Sequence, residues 1–266
     1  MLADDIGLVN LIYGIDDCAT LQSDLNNTVK YCKLNSLKLN SDKCERLRIT
    51  LKKCDLPSYK IENANINIVN KHKHIGVIYD SKLNFNFHVD MIVQKALKKF
   101  YILRFLCKRV DGQTFLKLYM TYILPILEYT NLCLTYTKSQ CDRIEKVQKR
   151  ITKFICFKLK KCLLKYEERL KFLKLHSLKK RREIQILKIV FKIRTKSSKI
   201  CENWLSEIEF YESKRNGILC RVPLKRIELV EKYLFNNAIK LFNDLPINVR
   251  NETKFCNYVK KLNDLL

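Results

Sequence analysis

The spacing of apolar positions changes near residue 86. Beyond it the spacing is helical. Residues 140–157 place Ile144, Val147, Ile151, Phe154 and Ile155 at offsets 0, 3, 7, 10 and 11, which predicts one amphipathic helix. Its opposite side holds Arg143, Lys146, Lys149, Arg150 and Lys153. Residues 88–107 predict a second helix with Ile92, Ala96, Phe100 and Leu103 inward. Residues 113–136 predict a third, broken or kinked at Pro125, because proline has no N–H to give the helix. The helical pattern continues over 163–173 and 178–193, and again over 228–242 and 252–265. Residues 198–225 fit neither period and read as a linker.

Before residue 86 the segments are short and mixed. Residues 6–13 are apolar and predict a strand. Asp16 or Asp17 can cap a following helix whose inward face is Leu21, Leu25, Val29 and Cys32. Residues 37–43 predict a short strand and turn, and 46–51, 66–69 and 74–79 predict further strands. The expected class is α+β, mostly α. Five Gly and four Pro in 266 residues agree with a chain dominated by helix.

Charge narrows the partners. Lys and Arg number 52 against 27 Asp and Glu, a net charge of +25. Residues 141–200 alone hold 21 Lys and Arg against 5 Asp and Glu, which is +16 of that excess. A Lys-rich solvated surface would spread its charge. Clustering favours a polyanion, which a basic face attracts by steering and by counterion release. The first candidate contact is the strip Lys146, Lys149, Arg150 and Lys153. The second is the run Lys179-Lys180-Arg181-Arg182, which reads equally as a nuclear-localisation signal or a solvated helical turn. No aromatic residue interleaves with these cations in the sequence, which favours contact with the phosphate backbone over the bases.

Other chemistries are disfavoured. The twelve Cys are scattered without a CxxC, and the four His form no ligand pair beside them, so structural zinc is not expected. The start, Met1-Leu-Ala-Asp-Asp, puts acids where a secretory leader needs positive charge. The chain is therefore expected in the nucleus or cytoplasm, not secreted, with its Cys mostly small core residues. No uninterrupted apolar stretch reaches transmembrane length, so no membrane contact is expected.

One short motif carries catalytic chemistry. Two adjacent acids, Asp4 and Asp5, stand just before an apolar strand. A carboxylate on a tight hairpin can hold Mg²⁺ for nucleotidyl transfer. Such pairs are far more often surface or capping acids, as Asp16-Asp17 is expected to be.

Order and spacing add to this pair. Leu2-Ala3-Asp4-Asp5 is followed by Leu39-Asn40 with Lys43, then His74-Ile75-Gly76-Val77. Leu118-Tyr119, Glu128-Tyr129 and Ile144-Glu145-Lys146-Val147-Gln148-Lys149-Arg150 come next. Leu241-Phe242-Asn243-Asp244-Leu245-Pro246 and Arg250 end the series. Each piece is weak alone. Together, over nearly the entire chain, the series resembles the carboxy-terminal part of reverse transcriptases of jockey-like non-LTR (LINE-type) retrotransposons.

The resemblance implies a partial palm over 1–85, built from a small antiparallel sheet plus a helix with a primer-grip-like hairpin. It implies a helical thumb over 86–197 and a helical carboxy-terminal extension over 198–266. Asp4 would be a Mg²⁺ ligand with Asp5 beside it at the primer terminus. Leu2 replaces the family's usual aromatic. Lys43 would lie near the incoming nucleotide's phosphates, unless it is simply an exposed turn lysine. Gly76 would let backbone approach the primer, unless it is simply a hairpin glycine. Glu128 and Tyr129 read as a packing corner. RNA and DNA, as template and primer, would be the partners. A complete enzyme of this family carries fingers and an earlier palm strand with a second metal-binding Asp before Leu2. Without that missing segment the chain is expected to bind nucleic acid but not to polymerise alone. A non-catalytic RNA- or DNA-binding module adopted by the host is the alternative, and a helical interaction protein is the third.

Overall fold

The computed structural model describes residues 6–50, 57–62, 64–131, 134, 136–196, 208–222 and 234–265. Two compact units divide the chain, Met1–Asp90 and Met91–Leu266. The protein is α+β and mostly helical, and among the described residues the strands form two-stranded pairs.

In the first unit, α1 spans Ile15–Leu34. The Asp17 carboxylate accepts from the Tyr13 and Gly14 N–H groups at 2.7 and 2.9 Å, satisfying donors that a helix start leaves open. Cys18, Val29 and Cys32 are buried along this helix, while Leu21 and Leu25 are half-buried. Gln22 ties the helix to a strand: its amide accepts from Lys60 N–H at 2.9 Å and donates to Lys60 C=O at 2.8 Å.

The strands of this unit are short. They are β1 (Glu45–Leu47), β2 (Lys60–Ile61), β3 (Ala64–Asn65), β4 (Asn67–Val69), β5 (Lys71–His74) and β6 (Val77–Asp80). The β2–β3 and β5–β6 pairs are antiparallel, but β1 pairs with β4 in parallel, in register Glu45 with Asn67. The single small antiparallel sheet expected here is thus replaced by separate ladders. Residues 6–13 form no strand, and Val9, Leu11 and Tyr13 are exposed. An apolar run becomes a strand only when another strand pairs with it, and none does so among the described residues. Of the strand and turn expected over 37–43, the turn is present as a single 3₁₀ turn, Ser41–Lys43, capped by Asn40, and the strand is not.

The strand expected over 74–79 is interrupted at 75–76 by a hairpin turn, the local shape that the resemblance implied. Ile75 and Gly76, with φ 46° and 76°, link β5 to β6. Positive φ at both central residues is the turn that matches strand twist. Glycine takes it freely, whereas the β-branched Ile75 is strained there by roughly 1–2 kcal/mol. After β6 the Asp80 carboxylate accepts from the N–H groups of Lys82, Asn84 and Phe85, which turns the chain into α2, Asn86–Leu106.

The second unit holds the rest of α2 and then α3 (Gly112–Tyr122), α4 (Leu124–Glu128), α5 (Lys138–Lys158), α6 (Tyr166–Leu173) and α7 (Leu178–Arg194). The β7–β8 hairpin (Phe210–Ser213, Gly217–Cys220) follows. Three helices end the unit: α8 (Leu234–Asn243), α9 (Ile247–Arg250) and α10 (Phe255–Leu265). The helix expected through residue 136 breaks before Pro125 and stops at Glu128. Asp111 caps α3 by accepting from Gln113 N–H at 2.7 Å and Thr114 N–H at 2.9 Å. Those hydrogen bonds, Thr114's first, hold its carboxyl below the ordinary carboxylate range. Thr137 and Gln140 close a capping box at the start of α5.

Residue 198, where an extension was expected to begin, lies outside the described residues, and described residues on its two sides pack together. Leu187, Val190 and Phe191 of α7 share one core with Cys220 of β8, Ala238 and Phe242 of α8, and Tyr258 and Leu262 of α10. Asn243 locks the hairpin to α8, accepting from Cys220 N–H and donating to Cys220 C=O, both at 2.8 Å. Arg250, also buried, donates to the carbonyls of Asn216 and Asn243. The Asn243 to Arg250 motif is therefore a clamp within the fold. Burial of Cys220 pushes its thiol up to about 12, which keeps it inert.

Candidate nucleic-acid interface

The α5 helix turns two different faces in two directions. Inward, Ile144, Val147, Ile151 and Ile155 are buried to within a few per cent. Phe154 is half-buried and packs edge-on against Phe100 and Phe115, with ring centroids 5.6 and 5.0 Å away. Outward, Lys146, Lys149, Arg150 and Lys153 are all exposed. Offsets of 3, 4 and 7 residues put them on one side along about 10 Å of axis.

The inner face carries polar groups that apolar periodicity did not reveal. Gln148, 1% exposed, accepts from the Tyr119 hydroxyl at 2.6 Å and donates to Tyr166 Oη and His176 C=O, each at 3.0 Å. The Tyr166 hydroxyl donates to Glu145. The same Glu145 carboxylate accepts from Leu178 N–H at 3.0 Å, where a negative charge favours the start of α7. Burial, and for Tyr166 also the Glu145 carboxylate, pushes both tyrosine hydroxyls well above the ordinary range. They stay neutral donors. This network joins α3, α5, α6 and α7, so it fixes the rotation of α5 and hence the aim of its basic face.

The basic run at the start of α7 is divided. Arg181 forms a two-pronged ion pair with Glu128, in which Nη2 lies 3.1 Å from Oε2. Arg182 is buried, donates to Asn131 Oδ1 at 3.2 Å and stacks 4.8 Å above the Tyr136 ring. Both guanidinium groups are engaged inside the fold, so the run is not a four-cation strip. Lys179 is exposed, 3.8 Å from Glu183, and Lys180 is half-buried. Of the expected packing corner, Glu128 has a partner 53 residues away, whereas Tyr129 is 59% exposed.

The α5 strip also has aromatic neighbours, contrary to the expectation from the sequence. Arg150 donates to the Tyr101 hydroxyl at 2.9 Å. Lys149 stands 5.1 Å from the Tyr166 ring centre, and Phe157, one turn beyond Lys153, is 67% exposed. Most of these rings come from other helices, so the order of residues along α5 could not show them.

In the first unit, Lys43 is exposed at the end of the 3₁₀ turn and Gly76 holds the β5–β6 turn. Asp4 and Asp5 lie outside the described residues, and so does any geometry for Mg²⁺ there. Among the described residues no group of three His, Cys, Asp or Glu is placed to hold a metal ion. No described helix is long and apolar enough to cross a membrane. No protein-family model, curated protein or solved structure matches the chain.

Proposed function

We propose that the second unit is a nucleic-acid grip whose contact surface is the outward face of α5. We propose further that the chain derives from the carboxy-terminal part of a non-LTR retrotransposon reverse transcriptase. In that setting the grip would hold a template–primer duplex by its phosphates. The observation that carries the grip is Lys146, Lys149, Arg150 and Lys153, four exposed cations on one side of a helix whose rotation is fixed from behind.

Two features support the parentage beside the motif order. The His74 to Val77 segment folds as a two-residue hairpin with Gly76 at positive φ, the local shape a primer grip needs. Val9, Leu11, Tyr13 and Ile15 stand exposed in the first unit. Clustered apolar residues of this kind are what a further fingers or palm segment would cover. Any catalytic part would belong to Asp4 and Asp5 with Mg²⁺. A host-adopted, non-catalytic binding module would use the same α5 face.

Salt dependence tests the grip. Four phosphate contacts predict that duplex affinity falls on the order of 100-fold between about 50 and 200 mM salt, read by fluorescence anisotropy. Weak binding that stays flat over that range would instead favour a helical interaction protein.

A further inference from the structure

The groove beside the α5 strip shares Arg150 and Lys153 with it but adds exposed aromatic rings. It runs between α2 and α5 as two adjoining open hollows of about 400 and 490 Å³. Tyr101, Phe105 and Phe157 line it, and they are 47%, 67% and 67% exposed. Three large rings left this open on neighbouring helices represent a lost burial that a soluble domain normally avoids.

Cations alternate with the rings. Arg104 sits 5.2 Å from the centre of the Phe154 ring that floors the groove, and Lys108 sits 4.7 Å from that of Phe105. Lys153 lines the upper hollow and Lys158 the lower. Lys158 is anchored by donating to the carbonyls of Lys108 and Val110, at 2.9 and 2.6 Å. No acidic side chain lines either hollow. An apolar peptide would gain from the rings but would leave these cations uncompensated. A duplex would use the cations, but its bases are paired inside and offer the rings nothing.

We infer that the α2–α5 groove binds a single-stranded segment of nucleic acid, stacking unpaired bases on Tyr101, Phe105 and Phe157 while the surrounding cations hold its phosphates. Every base has a π-face, so the groove takes RNA or DNA with little sequence preference. This inference rests on the nucleic-acid reading above and adds a division of labour. The α5 strip meets the phosphates of a duplex, and the groove takes the strand that leaves it.

The test uses the full chain and fluorescein-labelled probes of about 12 nucleotides: oligouridine RNA, oligothymidine DNA and a duplex. Phe105→Ala and Phe157→Ala remove exposed rings, so the fold is retained. Each should weaken both single strands roughly 5- to 150-fold and change duplex affinity by less than about threefold. In a second variant, Phe157→Trp, single-strand affinity is kept and the new indole emission, above the background of the native Trp204, is quenched by the single strands alone. Equal losses for duplex and single strand, or no loss with either alanine variant, overturn the groove and leave the duplex grip standing. If no probe binds the unaltered chain, both readings fail.

Discussion

Replacing Lys146, Lys149, Arg150 and Lys153 together by glutamine should lower duplex affinity on the order of 100- to 1000-fold at about 0.1 M salt, with the fold intact. Each phosphate contact releases close to one counterion, so the slope of log affinity against log salt should also become shallower by about 3 to 4. The fold survives because all four side chains are exposed and their contacts are peripheral: Arg150 donates to the exposed Tyr101, and Lys149 lies over the Tyr166 ring. A control removes equal charge elsewhere in the same unit, at Lys214, Arg215, Lys254 and Lys260, which are also exposed. If net charge alone drives binding, both variants weaken it alike. A contact at α5 predicts that only the first does so by more than about tenfold. Equal effects would remove the assignment to this face.

The second large effect concerns stability. Gln148→Leu should destabilise the helical unit by about 2–5 kcal/mol, since one buried and one part-buried partner lose their hydrogen bonds and each such loss costs roughly 1–3 kcal/mol. The stranded groups are the Tyr119 hydroxyl, in a fully buried side chain, and the His176 carbonyl. Folded domains are stable by only about 5–15 kcal/mol, so a loss this large moves the urea midpoint of the helical transition far down. Tyr119→Phe added to Gln148→Leu should recover part of the loss, because the stranded hydroxyl is then gone. A neutral Gln148→Leu would mean that the network does not set the rotation of α5. The same variant links stability to function, because freeing α5 to turn would also blur the basic face beside Gln148.

Periodicity made part of this legible. The inward positions 144, 147, 151 and 155 of α5 follow from spacing alone, whereas the pattern over 74–79 read as one strand and did not show the turn at 75–76. The same reading treats a polar residue as an outward one, so it offered Arg182 as a contact and assigned Gln148 no place in the core. Gln148 and Arg182 are inside because their partners, at Tyr119, His176 and Asn131, arrive from distant parts of the chain. The groove was hidden for a related reason: Tyr101 stands 49 residues before the Arg150 it meets. Conversely, residues 6–13 are apolar enough for a strand but have no strand to pair with among the described residues. Pattern shows which residues prefer burial, and tertiary contact decides which of them obtain it.

The most direct measurement is photo-crosslinking of bound nucleic acid to the full chain, followed by mass spectrometry of the attached peptides. Crosslinks should concentrate on residues 101–108, the end of α2 and the turn after it, and on 146–158 of α5. Crosslinks confined to the first unit or to the α8–α10 end of the second would contradict an α5-centred grip.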